Sequence, residues 1–272
     1  MRKSAMQFKT IGMCAFLFLV LPMMLFAGGG SCSTATAVIP DGRTLELDYV
    51  QPSPQGQPAS VAWYQFNATA NRSYSVEVHD DLDPDNGDFA VSFYAAPVNC
   101  SSPVASTNYT DTHLTEPAAG PHATRFSFVP TTSGAYYVSV QNNGSVGHYV
   151  TVAVTETTLY ATNWSTYANL TVYFALQNTT SQCISYTLTL IPVGGSTQNT
   201  TSTGTVGTAC ATSVSEVGIN TSSSGLNITS QAGVAILTHN GPPGAIQVSG
   251  ISANFSTAPF SVVPIPTAPR GK

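Results

Sequence analysis

From residue 43 to residue 156, short runs alternate apolar and polar positions and are separated by Gly, Pro, Asn and Asp. A strand with one buried and one wetted face leaves this pattern, because successive side chains point to opposite sides of a sheet. In SYSVEVH the residues Tyr74, Val76 and Val78 share a face, and in DFAVSFY it is Phe89, Val91 and Phe93. RFSFVP gives Phe126 and Phe128, AYYVSV gives Tyr136, Val138 and Val140, and HYVTVAV closes the set with Val150, Val152 and Val154. Beyond ETTLYATNWSTY a second series begins with LTVYFAL (Leu170, Val172, Phe174, Leu176) and continues through ISYTLTL, GVAILT and AIQVSGI. No stretch carries an apolar i, i+3, i+4, i+7 stripe over three helical turns. The pattern predicts an all-β chain of two β-sandwich domains in tandem, jelly-roll or immunoglobulin-like, over residues 34–156 and 157–262. Within the second, GGSTQNTTSTGTVGTA is low in complexity and reads as a mobile loop or an extended edge. The tail, residues 263–272 with Pro264, Pro266 and Pro269, is expected to leave the fold as an extended end.

The N-terminus changes the setting. A basic stretch, MRKSAMQFK, precedes the 17 residues IGMCAFLFLVLPMMLFA and the small-residue run GGGSCS, the layout of a secretory signal peptide spanning 1–27. The apolar run is short for a membrane anchor, contains Pro22 and lacks a charged stop, so no span is expected after cleavage. A second reading makes Cys32 the lipidated first residue of a lipoprotein, although Gly29, Gly30 and Ser31 lack the usual aliphatic position. The expected location is extracellular or cell-surface.

Composition then excludes one class of partner. The leader holds Arg2, Lys3 and Lys9, three of the eight basic residues, against thirteen acidic ones in the whole chain. The mature protein therefore has no material for a nucleic-acid surface. Removing the leader also removes Cys14 and leaves Cys32, Cys100, Cys183 and Cys210 in an oxidising compartment. Four cysteines allow three pairings. Cys183 and Cys210 share one predicted domain and close a short loop, which favours their pairing and leaves Cys32 for Cys100, whereas a lipidated Cys32 leaves Cys100 free.

VAWYQFNATANRSYSVEV, followed by TRFSFVPTTSGAYYVSVQNNGSVGHYVTVAV, resembles the bacterial pre-peptidase C-terminal domain, an exported accessory sandwich. The resemblance covers about residues 40–156. It rests on an aromatic strand ending in a Trp-Tyr-x-Phe-x-Ala-x-Ala phrase and on a late Phe-x-Pro-x-x-Ser-Gly-x-Tyr-Tyr-Val-x-Val hairpin. The chain departs from that pattern at Asp83-Pro84-Asp85-Asn86-Gly87-Asp88, where the family often alternates Asp and Leu. YFALQNTTSQC and QAGVAILTHNGPPGAI resemble a β-rich domain of exported bacterial proteins, which implies architecture only. In better-known relatives the first domain accompanies a peptidase, and no peptidase is present here.

The stretch HDDLDPDNGD holds five of the thirteen acidic residues. Asp81, Asp83, Asp85 and Asp88 place carboxylates at alternating positions around a turn, as a hard cation such as Ca2+ requires of its oxygen ligands. Asn86 stands where an EF-hand loop has its glycine. The bland reading is an exposed turn, which selects Asp, Asn, Pro and Gly for local hydrogen bonding and positive φ. Ca2+ is the one cofactor the sequence offers. A glycosidase needs two carboxyls flanking a substrate, one of them desolvated, and a wet acidic loop does not supply that pair. Asp111, Glu116, Glu156 and Glu216 lie scattered. The histidines His79, His113, His122, His148 and His239 form no HExxH, there is no CxxC zinc pattern and no GxSxG elbow, and His239 in THNGPPGAI reads as a hairpin marker.

Asn-x-Ser/Thr occurs twelve times among fifteen Asn residues. Glycosylation is one reading. The other is the polar outer face of strands, with Asn and Thr straddling a buried residue as in Asn169-Leu170-Thr171, and in a bacterial host this second reading is preferred. Tyr160, Trp164 and Tyr167 fall near the domain junction, either as a sugar-stacking platform or as interdomain packing, and the junction favours packing. The sequence thus points to a non-catalytic secreted or cell-surface protein serving adhesion or binding of an extracellular polysaccharide or a matrix or surface protein. A dedicated carbohydrate-binding module is the alternative, and a secreted hydrolase the third class.

Overall fold

The computed structural model describes residues 29–52, 60–80, 88–94, 100, 105–110, 123–143, 147–193, 199–222, 226, 228–254, 256, 261–265 and 267–269. The predicted leader and Asp81, Asp83 and Asp85 lie outside these residues, and Asp88 is described only as a backbone position. The chain is all β, with two single-turn 3-10 helices, Cys32–Thr34 and Tyr167–Asn169, among the described residues.

The first strand series forms β1 (Thr36–Ala37), β2 (Asp41–Val50), β3 (Ser60–Ala68), β4 (Tyr74–Asp80), β5 (Asp88–Tyr94), β6 (Ala105–Thr110), β7 (Ala123–Phe128), β8 (Gly134–Asn142) and β9 (His148–Glu156). They make two sheets, ordered β1-β3-β8-β5-β6 and β2-β9-β4-β7. The alternation places Tyr64, Phe66, Tyr136, Val138 and Val140 of one sheet against Tyr74, Val76, Val150, Val152 and Val154 of the other. Phe66 is the hub of this core, with the rings of Tyr74, Phe93, Phe128 and Tyr136 centred between 6.1 and 6.3 Å away. Aromatic pairs at such spacings contribute about 0.5–1.5 kcal/mol each beyond the area they bury.

The second series forms β10 (Leu159–Ser165), β11 (Thr171–Asn178), β12 (Ile184–Pro192), β13 (Thr200–Val206), β14 (Glu216–Asn220), β15 (Ala232–His239), β16 (Ile246–Asn254), β17 (Ser261–Ile265) and β18 (Thr267–Pro269). Its sheets run β13-β12-β15-β10-β18 and β14-β11-β16-β17 and enclose a separate core of Trp164, Val172, Phe174, Leu176, Ile184, Leu188, Leu190 and Leu237. Thr200–Val206, within the low-complexity segment, is the extended edge of its sheet, as one of the two readings of that segment held.

The tail does not leave the fold. β17 pairs with β16 and β18 with β10, both antiparallel. Pro264 and Pro269 sit on edge strands, where a residue without an N–H is tolerated, and Ile265 is buried between the sheets. The prolines mark edges, not an exit. Cys32 bonds to Cys100, and Cys183 at the start of β12 bonds to Cys210 beyond the end of β13. Among the described residues no helix is long and apolar enough to cross a membrane.

Candidate functional site

The two sandwiches meet at a very short connection. β9 ends at Glu156 and β10 begins at Leu159, so only Thr157 and Thr158 link them, and both are buried. Backbone polar groups that are buried need partners, and these find theirs on both sides. On the first-sandwich side, Thr157 N–H donates to Ser73 O at 2.8 Å, Glu156 N–H donates to Pro40 O at 3.2 Å, and Ser73 N–H donates to Thr158 Oγ1 at 2.8 Å.

From the second sandwich comes His239, the last residue of β15, only 2% exposed and hydrogen-bonded to the backbone of Thr157. Gly241 N–H donates to its Nδ1 at 3.2 Å. Burial pushes the imidazole down from 6.5 to about 4, against the opposing influence of its backbone bond to Thr157. Tyr160 reaches back the same way: its hydroxyl donates to Glu156 Oε1 at 2.5 Å, and the Arg72 guanidinium lies 4.6 Å from its ring centroid. Arg72 Nη1 and Thr157 Oγ1, both at this joint, are the two buried side-chain atoms without a hydrogen-bond partner among the described residues.

Beside the joint lies a cavity of about 490 Å3 lined by Asp41, Glu156, Leu159, His239, Ile246 and Gln247 among others. It gathers an imidazole and two carboxylates, the residue types of acid–base chemistry. His239, however, is neutral at pH 7 and bonded to backbone, and Glu156 already accepts from Tyr160. His239, expected from the sequence to mark a hairpin, is the last residue of β15 and points into the joint. Its alternation with Ala235 and Leu237 on β15 was the signal for burial, since residues two apart share a face.

The three candidate aromatics are separated, not clustered. Tyr160 packs on the joint. Trp164 is a core residue, 1% exposed, with Nε1–H donating to Val234 O at 2.7 Å. Tyr167, 55% exposed, lies past the other end of β10, roughly 20 Å from the joint at about 3.3 Å per strand residue. Two neighbours of Tyr167 in the chain, Thr166 and Asn169, line a groove of about 350 Å3 with Thr171, Thr221, Ser222, Thr229 and Ser230. Three of the five non-glycine residues with positive φ among the described residues border it: Ala168 at 56°, Asn169 at 59° and Ser230 at 52°. Left-handed backbone outside glycine costs about 1–3 kcal/mol per residue and persists only where surroundings enforce it. Here they do: Thr166 and Gln231 exchange hydrogen bonds, Val172 N–H donates to Thr221 Oγ1 at 3.1 Å, and Asn254 Nδ2 donates to Ala168 O at 3.4 Å.

Two further groups lay beyond the sequence reading. On neighbouring strands β4 and β7, Arg125 Nε donates to Glu77 Oε1 at 2.7 Å and His79 Nε2 lies 3.3 Å from Glu77 Oε2. The His79 hydrogen bond, helped by the Arg125 charge and hydrogen bond and opposed by burial, holds the Glu77 carboxyl below its ordinary range. Asp48, 4% exposed, accepts from the Tyr64 hydroxyl at 2.8 Å. Among the described residues no three His, Cys, Asp or Glu side chains gather as a metal site.

No family model and no curated protein matches the chain. Among solved structures it is similar to the pre-peptidase C-terminal domain of collagenase from Bacillus anthracis, with 14% identity over 43% of this chain and 93% of that one, at a TM-score of 0.29. A likeness of that size does not assign the chain to a family.

Proposed function

We propose that the chain is a non-catalytic extracellular or cell-surface protein that serves adhesion or binding, its two sandwiches joined as one stiff unit that presents its far ends to a partner. The observation that carries this reading is the engagement of the joint. The cavity that holds an imidazole and two carboxylates has its histidine neutral and bonded to backbone and its Glu156 bonded to Tyr160. A general base needs a lone pair within reach of the substrate, and this arrangement offers packing in its place. The two disulfides support an oxidising location. Binding of the purified full chain to an array of extracellular polysaccharides and matrix proteins tests the reading, with a panel of glycoside and ester substrates run in parallel. Retention on the array without turnover is expected. Turnover that is lost on His239→Gln would show an active centre at the joint and sink the proposal.

A further inference from the structure

We infer that the groove beyond the end of β10 is a binding site for a neutral saccharide, and that the exposed Tyr167, which lies in the chain between the lining residues Thr166 and Asn169, supplies its stacking ring. The inference rests on the binding role proposed above and gives that role a place and a ligand class.

Three observations converge there. The first is chemical: apart from Leu170 and Ile228, every side chain lining the groove among the described residues is a hydroxyl or a carboxamide, and none of these is charged. Sugar hydroxyls both donate and accept, and Ser, Thr and Asn side chains answer them in kind, whereas an acidic sugar would call for Arg or Lys. The second is availability. Thr166 and Thr221 are committed to holding the strand ends, and Ser222 Oγ donates to Asn220 Oδ1 at 3.0 Å. Asn169, Thr171, Thr229 and Ser230, by contrast, make no side-chain hydrogen bond among the described residues. The third is the aromatic ring. Tyr167 is the most exposed aromatic side chain described, at 55%, and it is followed at once by left-handed Ala168 and Asn169.

A pyranose has an apolar face of C–H groups and a polar rim of hydroxyls. An exposed ring at the groove's margin, the role assigned to Tyr167, covers the first at little cost in side-chain freedom, and the groove's own hydroxyls take the second. At about 350 Å3 the groove sits at the small end of the range of about 300–1,000 Å3 for ligand sites. That suits a short stretch of a polysaccharide chain better than a folded partner. The walls are cross-tied by the Thr166–Gln231 and Thr221–Val172 bonds, so the site is formed before the ligand arrives.

Affinity electrophoresis through gels containing soluble β-glucan, xylan or galactomannan tests the site. The full chain is made in a host that does not glycosylate it, and immobilised fibronectin and laminin serve as protein probes. At least one neutral polysaccharide is expected to retard the chain. Tyr167→Ala should weaken that retardation at least tenfold, Thr229→Val should weaken it several-fold, and Tyr149→Ala, which alters an exposed tyrosine of the first sandwich, should leave it unchanged. Tyr167 and Thr229 are both exposed, and a matching thermal melt confirms that the two variants fold. Retardation that Tyr167→Ala does not change would overturn the site while leaving the binding role intact. Binding to fibronectin or laminin with no polysaccharide retardation would overturn the saccharide and keep the role, and a chain that binds none of the probes would bring down both.

Discussion

His239, at the end of β15, hydrogen-bonds the backbone of Thr157, so a side chain of the second sandwich holds the two-residue link that leads from the first. Burial keeps the ring neutral, against the pull of the Thr157 bond itself, which favours the proton. Its folded value of about 4 lies below the unfolded value of 6.5, so as pH falls the unfolded chain takes up the proton first. Stability is therefore unaffected by this group above pH 7, declines between pH 6.5 and about 4, and levels off below that. The full effect is about 3 kcal/mol, at about 1.4 kcal/mol for each pH unit of displacement. Urea unfolding of wild type and His239→Gln at pH 7.5 and pH 4.5 checks this: the variant should lose most of the wild-type difference between the two pH values.

Trp164 and Tyr167 lie three residues apart and should behave as opposites. Trp164→Ala empties a buried site and orphans the Val234 carbonyl, at a cost of about 3–5 kcal/mol. Tyr167→Ala changes an exposed position and should stay within about 0.5 kcal/mol of wild type. Chemical denaturation of the two variants separates them; equal costs would contradict the placement of Tyr167 on the surface.

The Cys183–Cys210 bond closes a loop of 27 residues. Loop-closure entropy gives such a crosslink about 3.5 kcal/mol through the unfolded chain. The double variant Cys183→Ser, Cys210→Ser should lose stability on that scale, and non-reducing peptide mapping of wild type should recover the 183–210 and 32–100 linked peptides.

The alternation of Tyr74, Val76 and Val78, or of Val172, Phe174 and Leu176, was enough to identify strands and name their buried faces, because burial on one side of a sheet is a local, period-two property. Trp164 shows where that rule fails. The β10–β15 register shifts between Ala161 and Trp164, so both residues face inward although they are three apart, and no count of alternate positions reveals a bulge. The direction of β10 was equally hidden. It carries Tyr167 away from the joint, whereas sequence proximity alone had grouped it with Tyr160. Pro264 and Pro269 misled for a related reason: whether a proline ends a strand or lies on a sheet edge depends on which neighbours are present. The groove residues come from four separate strand ends, and a single sequence has no means of bringing those together.

Several Asn-x-Ser/Thr motifs have a structural role beyond the polar outer face of a strand. β11 ends at Asn178, β14 at Asn220 and β16 at Asn254, and in each case the carboxamide oxygen accepts from the backbone N–H of the Ser or Thr two residues on. At these three of the twelve sites the motif is an Asx turn that stops a strand, with the hydroxyls of Thr180 and Ser222 adding a second bond to the same oxygen. Asn178 goes further, because it is buried and its Nδ2 donates to both Gln182 O at 2.7 Å and Val206 O at 2.8 Å. Asn178→Ala removes both donors and leaves the Val206 carbonyl buried without this partner, at a cost of about 2–3 kcal/mol. The same bonds leave Asn178 no free amide for a glycan. In a glycosylating host, glycopeptide mapping should find sugar at exposed sites such as Asn67, Asn71 and Asn163 and none at Asn178, and a glycan at Asn178 would contradict its burial.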